Sequence, residues 1–582
     1  MGDRSLSDAG TAGPVGAGGG MASGPAPAGN SRWRLQPEVA AQTQGLVASN
    51  FGHLPVGQAL LLTLPTQPMG LGGGWLAALR AVLPITDASG SRADTTAAAI
   101  AFTASGLAAM NLDADVLATF SAPFREGMHQ TDRARRLGDD PAQGTVVAGG
   151  ARWSANIPDA LASAADLPAR TAPTTVHALL LLYAADDTTL AAQLAPVEAM
   201  LQTHRIHIGH RRALSLGVPM NVPLNVPLNL PLNVPISAPI SAPISAPISV
   251  SAAPAPDAGP QDPPREHFGF VDGISQPVPT GSAIVPASGP QAEAQRHWHG
   301  VQAGEILLGH TNLHGELAPG PRVSASSPGS AALSRNGAPE GFCNLGLNGS
   351  YLVVRELQQD VAAFWRSMDA AAAQLANPTL SALQLAEKLV GRSLDGHALR
   401  PGGAMAAEAT GNARQAANNF GYAQDDLHGL GCPLGAHVRR SNPRDSLPSR
   451  DGAATDLSVA DDLLHSANGH RILRRGRKYG AALADLRQDD GAQRGLLFMC
   501  LNSDLVRHFE FVQQTWLLNP SFATLFNETD PLLGPPGRFT LPAHPLRQRP
   551  AVQTFVQMVG GDYFFLPSLP ALDYLGSLAA VG

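Results

Sequence analysis

Charge is scarce in this 582-residue chain: Asp, Glu, Lys and Arg make up only 15% of it, against roughly 25% in an average soluble domain. That excludes a coiled coil or a polyampholyte. The net charge is −7, so no cationic surface for nucleic acid or an anionic membrane is expected. Three cysteines are too few for a disulfide framework, and an odd number suits a reducing compartment. No run reaches the ~18 consecutive apolar residues that a membrane-crossing helix needs. The first 30 residues hold no apolar core and no twin arginine before one. They do not read as a secretory signal, and the cytoplasm is the expected location.

What is present in excess is small and loop-forming. There are 61 glycines and 49 prolines, yet 44% of residues are hydrophobic, enough for a sizeable core. Residues 1–32 are rich in Gly, Ala, Ser and Pro without periodicity and read as a disordered tail. Structured patterning starts near Trp33. Between 218 and 249 a unit of four repeats, from VPMN through VPLN to APIS, with proline at every fourth position from Pro219 to Pro247. Proline fixes φ and lacks a donor, so neither a helix nor a central strand runs through it. The stretch reads as a polyproline-II-like insertion rather than part of the core.

Strand and helix patterns lie on both sides of that insertion. AIAFTASGLAAM (99–110) is an apolar run that turns into a helix start, and HALLLLYAADD (177–187) precedes a helical pattern over 188–204. NGSYLVVREL (348–357) leads into a helix with Leu357, Val361, Phe364, Trp365, Met368 and Leu375 on one face, stopped by Asn377-Pro378. GLLFMCLN (495–502) is followed by a helix carrying Leu505, Phe509, Val512 and Trp516 on one side, and DYFFLPS (562–568) is the last strand. The spacing is too loose for a doubly wound sheet. It predicts an α+β fold of two sheets with helices on one face.

Three motifs carry candidate chemistry. His437 sits in GCPLGAHVRRSNPRD, followed by Arg439, Arg440 and Arg444. Imidazole is a common ligand of metals and heme iron, and guanidinium groups suit carboxylates; alone, the segment also reads as a basic turn with an incidental histidine. Asp272 lies in HFGFVDGISQP, where an apolar setting would desolvate the acid and suit it to proton transfer; a D-G pair is equally a plain turn. Arg474 belongs to HRILRRGRKYG, either a solvated basic turn or an arginine aimed at developing negative charge.

Taken in order, GFVDG, NGSYLVVRELQQDV, CPLGAHVRRSNPR, RILRRGRKYG, GLLFMCLN, FEFVQQTW and YFFLPS resemble the dye-decolorizing peroxidases. IAFTASGL and FREGM…RARRLGD in the first half agree, and the resemblance runs from about 33 to 575 without the proline repeat. It implies two ferredoxin-like α+β modules, 33–265 and 266–582, with heme b in a cavity of the second. It implies Asp272 as the distal acid of a GxxDG motif and His437 as the proximal iron ligand. It also implies Arg474 as the distal arginine, with Arg471 and Arg475 as competitors for that register. Arg439 is implied as a partner of a heme propionate, and Glu510 as acceptor from the other ring nitrogen of His437. The expected function is oxidation of organic donors such as dyes and phenols by hydrogen peroxide. The alternative is a heme-binding, storage or iron-release protein on the same fold. Neither nucleic acid nor membrane is an expected partner, and assembly with further copies is left open.

Overall fold

Eight strands frame the molecule: β1 (Val56–Thr63), β2 (Thr96–Phe102), β3 (Ala178–Ala184), β4 (His207–Ser215), β5 (Ser350–Gln359), β6 (Arg477–Tyr479), β7 (Gly495–Asn502) and β8 (Val556–Leu566). The computed structural model describes residues 34–65, 71–89, 94–155, 174–217, 264–280, 283–284, 290–375, 380–404, 418–447, 457–542 and 547–580. The tail over 1–32, the repeat over 218–249 and the Asn377-Pro378 stop lie outside them. All eight strands pair antiparallel in the order β5-β8-β2-β3-β1-β4-β6-β7, and β7 pairs back onto β5, so the sheet closes on itself. A short strand, Leu473–Arg474, adds to β7 as a ninth.

Closure is uneven. β5 and β7 pair continuously from Tyr351↔Asn502 to Gln358↔Gly495, and β1 pairs β3 from Val56↔Ala184 to Leu62↔Ala178. The first and second halves meet at single residue pairs, Phe102↔Phe565 and Ser215↔Lys478. Within the first half the order is β4-β1-β3-β2, with α1 (Gly74–Val82) after β1 and α2 (Asp187–Thr203) after β3. Within the second it is β8-β5-β7-β6, with α3 (Val361–Leu375) after β5 and a helical stretch, Val506–Leu517, after β7. The α+β class therefore holds, but one closed antiparallel sheet stands where two sheets were expected.

Side chains alternate across a strand, so each strand feeds two cores. Ala59 and Leu61 of β1, Ala97, Ala99 and Ala101 of β2, Leu352 and Val354 of β5, and Leu497 and Met499 of β7 share one buried cluster, the barrel interior. The alternate residues Leu60, Leu62, Ile100, Leu180 and Val353 join the helices in a second cluster. Alanines on β2 suit the confined interior. As the pattern predicts, α3 buries Val361, Phe364, Trp365 and Met368, whereas Leu357, expected on the same helical face, belongs to β5 and Leu375 is only half-buried. The stretch after β7 differs from expectation. It is wound as a π-helix, with Glu510 N–H donating to Leu505 O and Leu518 N–H to Gln513 O. Leu505, Phe509, Val512 and Trp516 are still buried, and so are His508, Glu510, Gln513 and Leu517 between and beside them. From Trp33 on, the chain is one compact unit. Among the described residues no helix is long and apolar enough to cross a membrane.

Candidate active site

A cavity of about 290 Å³ lies on the outer face of the second half's strands. Its walls are β5, β7 and β8, the loop over 264–276, the π-helical stretch, and the short helix α4 (His437–Ser441). His437, Asp272 and Arg474, which are far apart in sequence, all line it.

The GFVDG loop is held by its own acid. Glu266 accepts hydrogen bonds from the backbone N–H of Phe268 at 2.9 Å and of Phe270 at 3.0 Å, and from Gln359 Nε2 at 2.7 Å. Gly269 and Gly273 take φ values of 102° and 79°, which only glycine adopts freely, and so fold the loop back on itself. Asp272 N–H donates to Pro264 O at 3.0 Å. The turn thus presents the Asp272 side chain, 29% exposed, at the cavity wall.

On the opposite chemistry stands His437. Its Nδ1 lies 2.9 Å from Asp530 Oδ2, and the Asp530 side chain is fully buried. Asp530 Oδ1 accepts from the N–H of Leu532 and of Leu533, both at 2.9 Å, which fixes the carboxylate. With Nδ1 taken, Nε2 is the nitrogen left to ligate. Burial opposes a charged imidazole, but Asp530 outweighs it by charge and hydrogen bond and holds His437 above its ordinary value. Burial likewise pushes the Asp530 carboxyl up, and His437 with the two backbone donors brings it net below the usual range.

Strand alternation sorts the basic cluster. Arg474 and Gly476 face the cavity, while Arg475 donates to the carbonyls of Leu46 and Val47, and Arg477 to those of Asn50, Phe51 and Leu54. Arg475 is thereby removed from the cavity. Arg474 donates to Ile274 O at 2.6 Å and Arg471 to Ser275 O at 2.8 Å, so both brace the end of the GFVDG loop. Lys478, on the cavity side by the same alternation, places Nζ 2.8 Å from Asp272 Oδ2. Burial raises the Asp272 carboxyl, yet Lys478 first and Arg474 next overcome it and hold the group well below the usual carboxylate range. Burial pushes Glu266 the other way, up.

Two expected roles are corrected. Arg439 does not line the cavity. It is 1% exposed and donates to the carbonyls of Cys432 at 2.7 Å, Asp426 at 2.9 Å and Leu427 at 3.1 Å, with its guanidinium 4.3 Å from the Tyr422 ring centre. Two residues along a helix turn point to different sides, so Arg439 cannot share the direction of His437. Glu510 does not accept from His437. It takes hydrogen bonds from Arg133 Nε at 2.7 Å and from Tyr563 Oη at 2.8 Å, behind the π-helix. Arg392 and Arg471 supply the cavity's basic wall instead. Among the described residues neither has a carboxylate at ion-pair distance, and Nε of Arg392 is buried without a partner. Burial, then Arg444 and Arg474, push Arg471 down to about 9. Asp530, Lys478 and Glu266 were not singled out from sequence. Asp530 stands 93 residues from His437 with no local pattern to link them, whereas period-two alternation from Arg474 was a usable signal for Lys478.

No family model matches the chain. It is 30% identical over 327 residues to the multifunctional dye peroxidase DyP2 of Amycolatopsis sp., covering 53% of this chain and 61% of that one. It is 29% identical over 253 residues to the dye-decolorizing peroxidase msp1 of Mycetinis scorodonius, covering 39% and 45%. The curated proteins it resembles include a dye peroxidase and several dye-decolorizing peroxidases. The matched segments span about half to three-fifths of these curated relatives. In fold the likeness is broader. A dye-decolorizing peroxidase solved with 2,6-dimethoxyphenol superposes with a TM-score of 0.62 at 23% identity, covering 93% of this chain and 100% of the other. The DyP-type peroxidase of Anabaena sp. gives 0.62 at 21% identity, covering 93% and 95%.

Proposed function

We propose that the chain is a heme peroxidase that uses hydrogen peroxide to oxidise organic donors such as dyes and phenols. The observation that carries this reading is the convergence on one cavity of His437, backed by Asp530, with the Asp272–Arg474 pair. The residues present suit heme b. His437 Nε2 would hold the iron. Apolar side chains such as Phe268, Leu496, Phe498 and Leu533 would bury the ring. Arg392 and Arg471 would meet the propionates, which offer the carboxylates these guanidinium groups lack. When bound, heme supplies the redox chemistry that splits the O–O bond of peroxide.

The chain's own groups do the rest. Asp272, held ionised, would accept a proton from one oxygen of the peroxide and return it to the other, so that water can leave. Arg474 offsets the negative charge while that proton is in transit. Asp530 keeps the His437 ring in one tautomer and orientation. The apolar walls exclude bulk water.

Strand order supports two ferredoxin-like modules, 33–265 and 266–582, with the cavity in the second. Each half runs strand–helix–strand–strand–helix–strand with its first and third strands central. Three buried free thiols, Cys343, Cys432 and Cys500, suit a cytoplasmic setting. One feature favours the second reading, heme binding or iron release without turnover: both oxygens of Asp272 are already engaged, by Lys478 and by Gly273 N–H. The deciding experiment loads the purified chain with hemin, follows the Soret band and assays oxidation of 2,6-dimethoxyphenol by peroxide. Stoichiometric hemin with peroxide-dependent turnover is expected; bound hemin without turnover would favour the second reading, and no bound hemin would overturn both.

A further inference from the structure

Lys478 has no part in the reaction just described, yet it is the group most intimately bound to Asp272. It is a strand residue whose side chain is 3% exposed. Its Nζ donates to Asp272 Oδ2 at 2.8 Å and to Leu216 O at 3.2 Å. A buried ammonium is costly unless paired, so the carboxylate and the carbonyl together account for its presence there. The other carboxylate oxygen, Oδ1, accepts Gly273 N–H at 2.6 Å. Asp272 is therefore fixed through both oxygens before any ligand arrives. The remaining charges that face it are Arg474, from the short strand, and Glu266, from its own loop. Neither has a hydrogen bond to it among the described residues; Lys478 does.

We propose that Lys478 is a positioning residue for Asp272: it fixes the carboxylate at the cavity wall and sets the acidity at which that carboxylate takes a proton. Its consequence for turnover rests on the peroxidase reading, while the ion pair is a property of the chain itself. Removing Lys478 leaves burial as the dominant influence on Asp272, so the carboxyl should protonate at higher pH, and an arginine at 478 should restore the low value.

The full chain, labelled with ¹³C at aspartate Cγ, is titrated by NMR with and without hemin, and the Asp272 signal is assigned by its loss in D272N. The wild-type midpoint should lie below the ordinary value of about 3.9. K478Q should raise it by about 1–3 pH units, the span an adjacent opposite charge commands, and K478R should keep it low. With hemin bound, the acid limb of kcat should move up by the same amount in K478Q while KM for the dye stays put. A wild-type midpoint at or above the ordinary value overturns the proposal whether or not K478Q folds, and so does an unchanged midpoint in a folded K478Q. Hemin-loaded wild type without turnover would defeat the peroxidase reading and leave the titration result standing, so the two failures are distinguishable.

Discussion

At the scale of single residues, the acid expected to accept from His437, Glu510, and the acid that stands beside it, Asp530, are different, and they should behave differently. Asp530→Asn keeps the shape but weakens the acceptor for Nδ1, and loss of such an outer partner costs about 10–100-fold in affinity. Hemin transfer to a scavenger protein should be faster by that order, with the unfolding midpoint less affected. Glu510→Gln should do the reverse. It leaves buried Arg133 with the half-exposed Glu126 as its remaining carboxylate, so the loss should fall below the about 3–5 kcal/mol of a fully broken buried pair, visible as a lower denaturant midpoint with hemin retention unchanged. His437→Ala should fold and bind little hemin, read as the ratio of heme to protein absorbance. For Asp272 the sign of the pH effect is fixed by its partners. A carboxyl whose folded value is depressed contributes stability that is present above its unfolded value and is lost as pH falls through the folded one. Dye oxidation should accordingly persist to acid, with its lower limb beneath about pH 3.9, the ordinary value for aspartate; a limb near neutrality would show that another group governs the profile.

At the scale of elements, periodicity was readable where burial was one-sided and misleading where it was not. α3 follows its apolar stripe, and β3, β5 and β7 follow their runs of Leu and Val. β4, HIGHRRALS, was not legible, because its polar side chains are half-buried or exposed and only pairing with β1 and β6 makes it a strand. β8 begins six residues upstream of the readable DYFFLPS, through a Gly560-Gly561 pair that carries no side-chain signal. The three motif residues were legible as a set because chemistry restricts their types. Arg439 was misassigned because adjacency along the chain says little about direction on a five-residue helix, and Glu510 because nothing in the sequence shows that Arg133 and Tyr563 claim its carboxylate. The repeat makes a prediction at this scale. Leu216 O, Gly217 and Pro264 O are held beside Asp272 by Lys478, by close approach and by Asp272 N–H. All lie outside 218–249, so deleting that stretch should leave hemin stoichiometry and peroxide turnover within about twofold, as expected for a change that adds only to loop length. A large loss of activity or thermal stability would show that the repeat packs on the core.

At the scale of the whole molecule, the barrel interior binds the halves more strongly than their backbones do. The interior cluster draws on β1, β2, β3 and β4 as well as β5, β7 and β8, whereas hydrogen-bonded pairing across the two joins amounts to Phe102↔Phe565 and Ser215↔Lys478. Fragments 33–217 and 264–582 expressed together should therefore copurify. Each alone would expose one wall of that interior and should aggregate.

The second of those joins has Lys478 as one of its two members, and the same residue grips Asp272. One of the barrel's two single-pair stitches, made by backbone, and the tether of its acid, made by side chain, belong to one residue. Thermal or chaotropic stress that parts this stitch would loosen the carboxylate while the rest of the sheet still holds. The molecule would then behave like a circuit with a fuse: turnover fails early and recovers on cooling, well before the chain unravels.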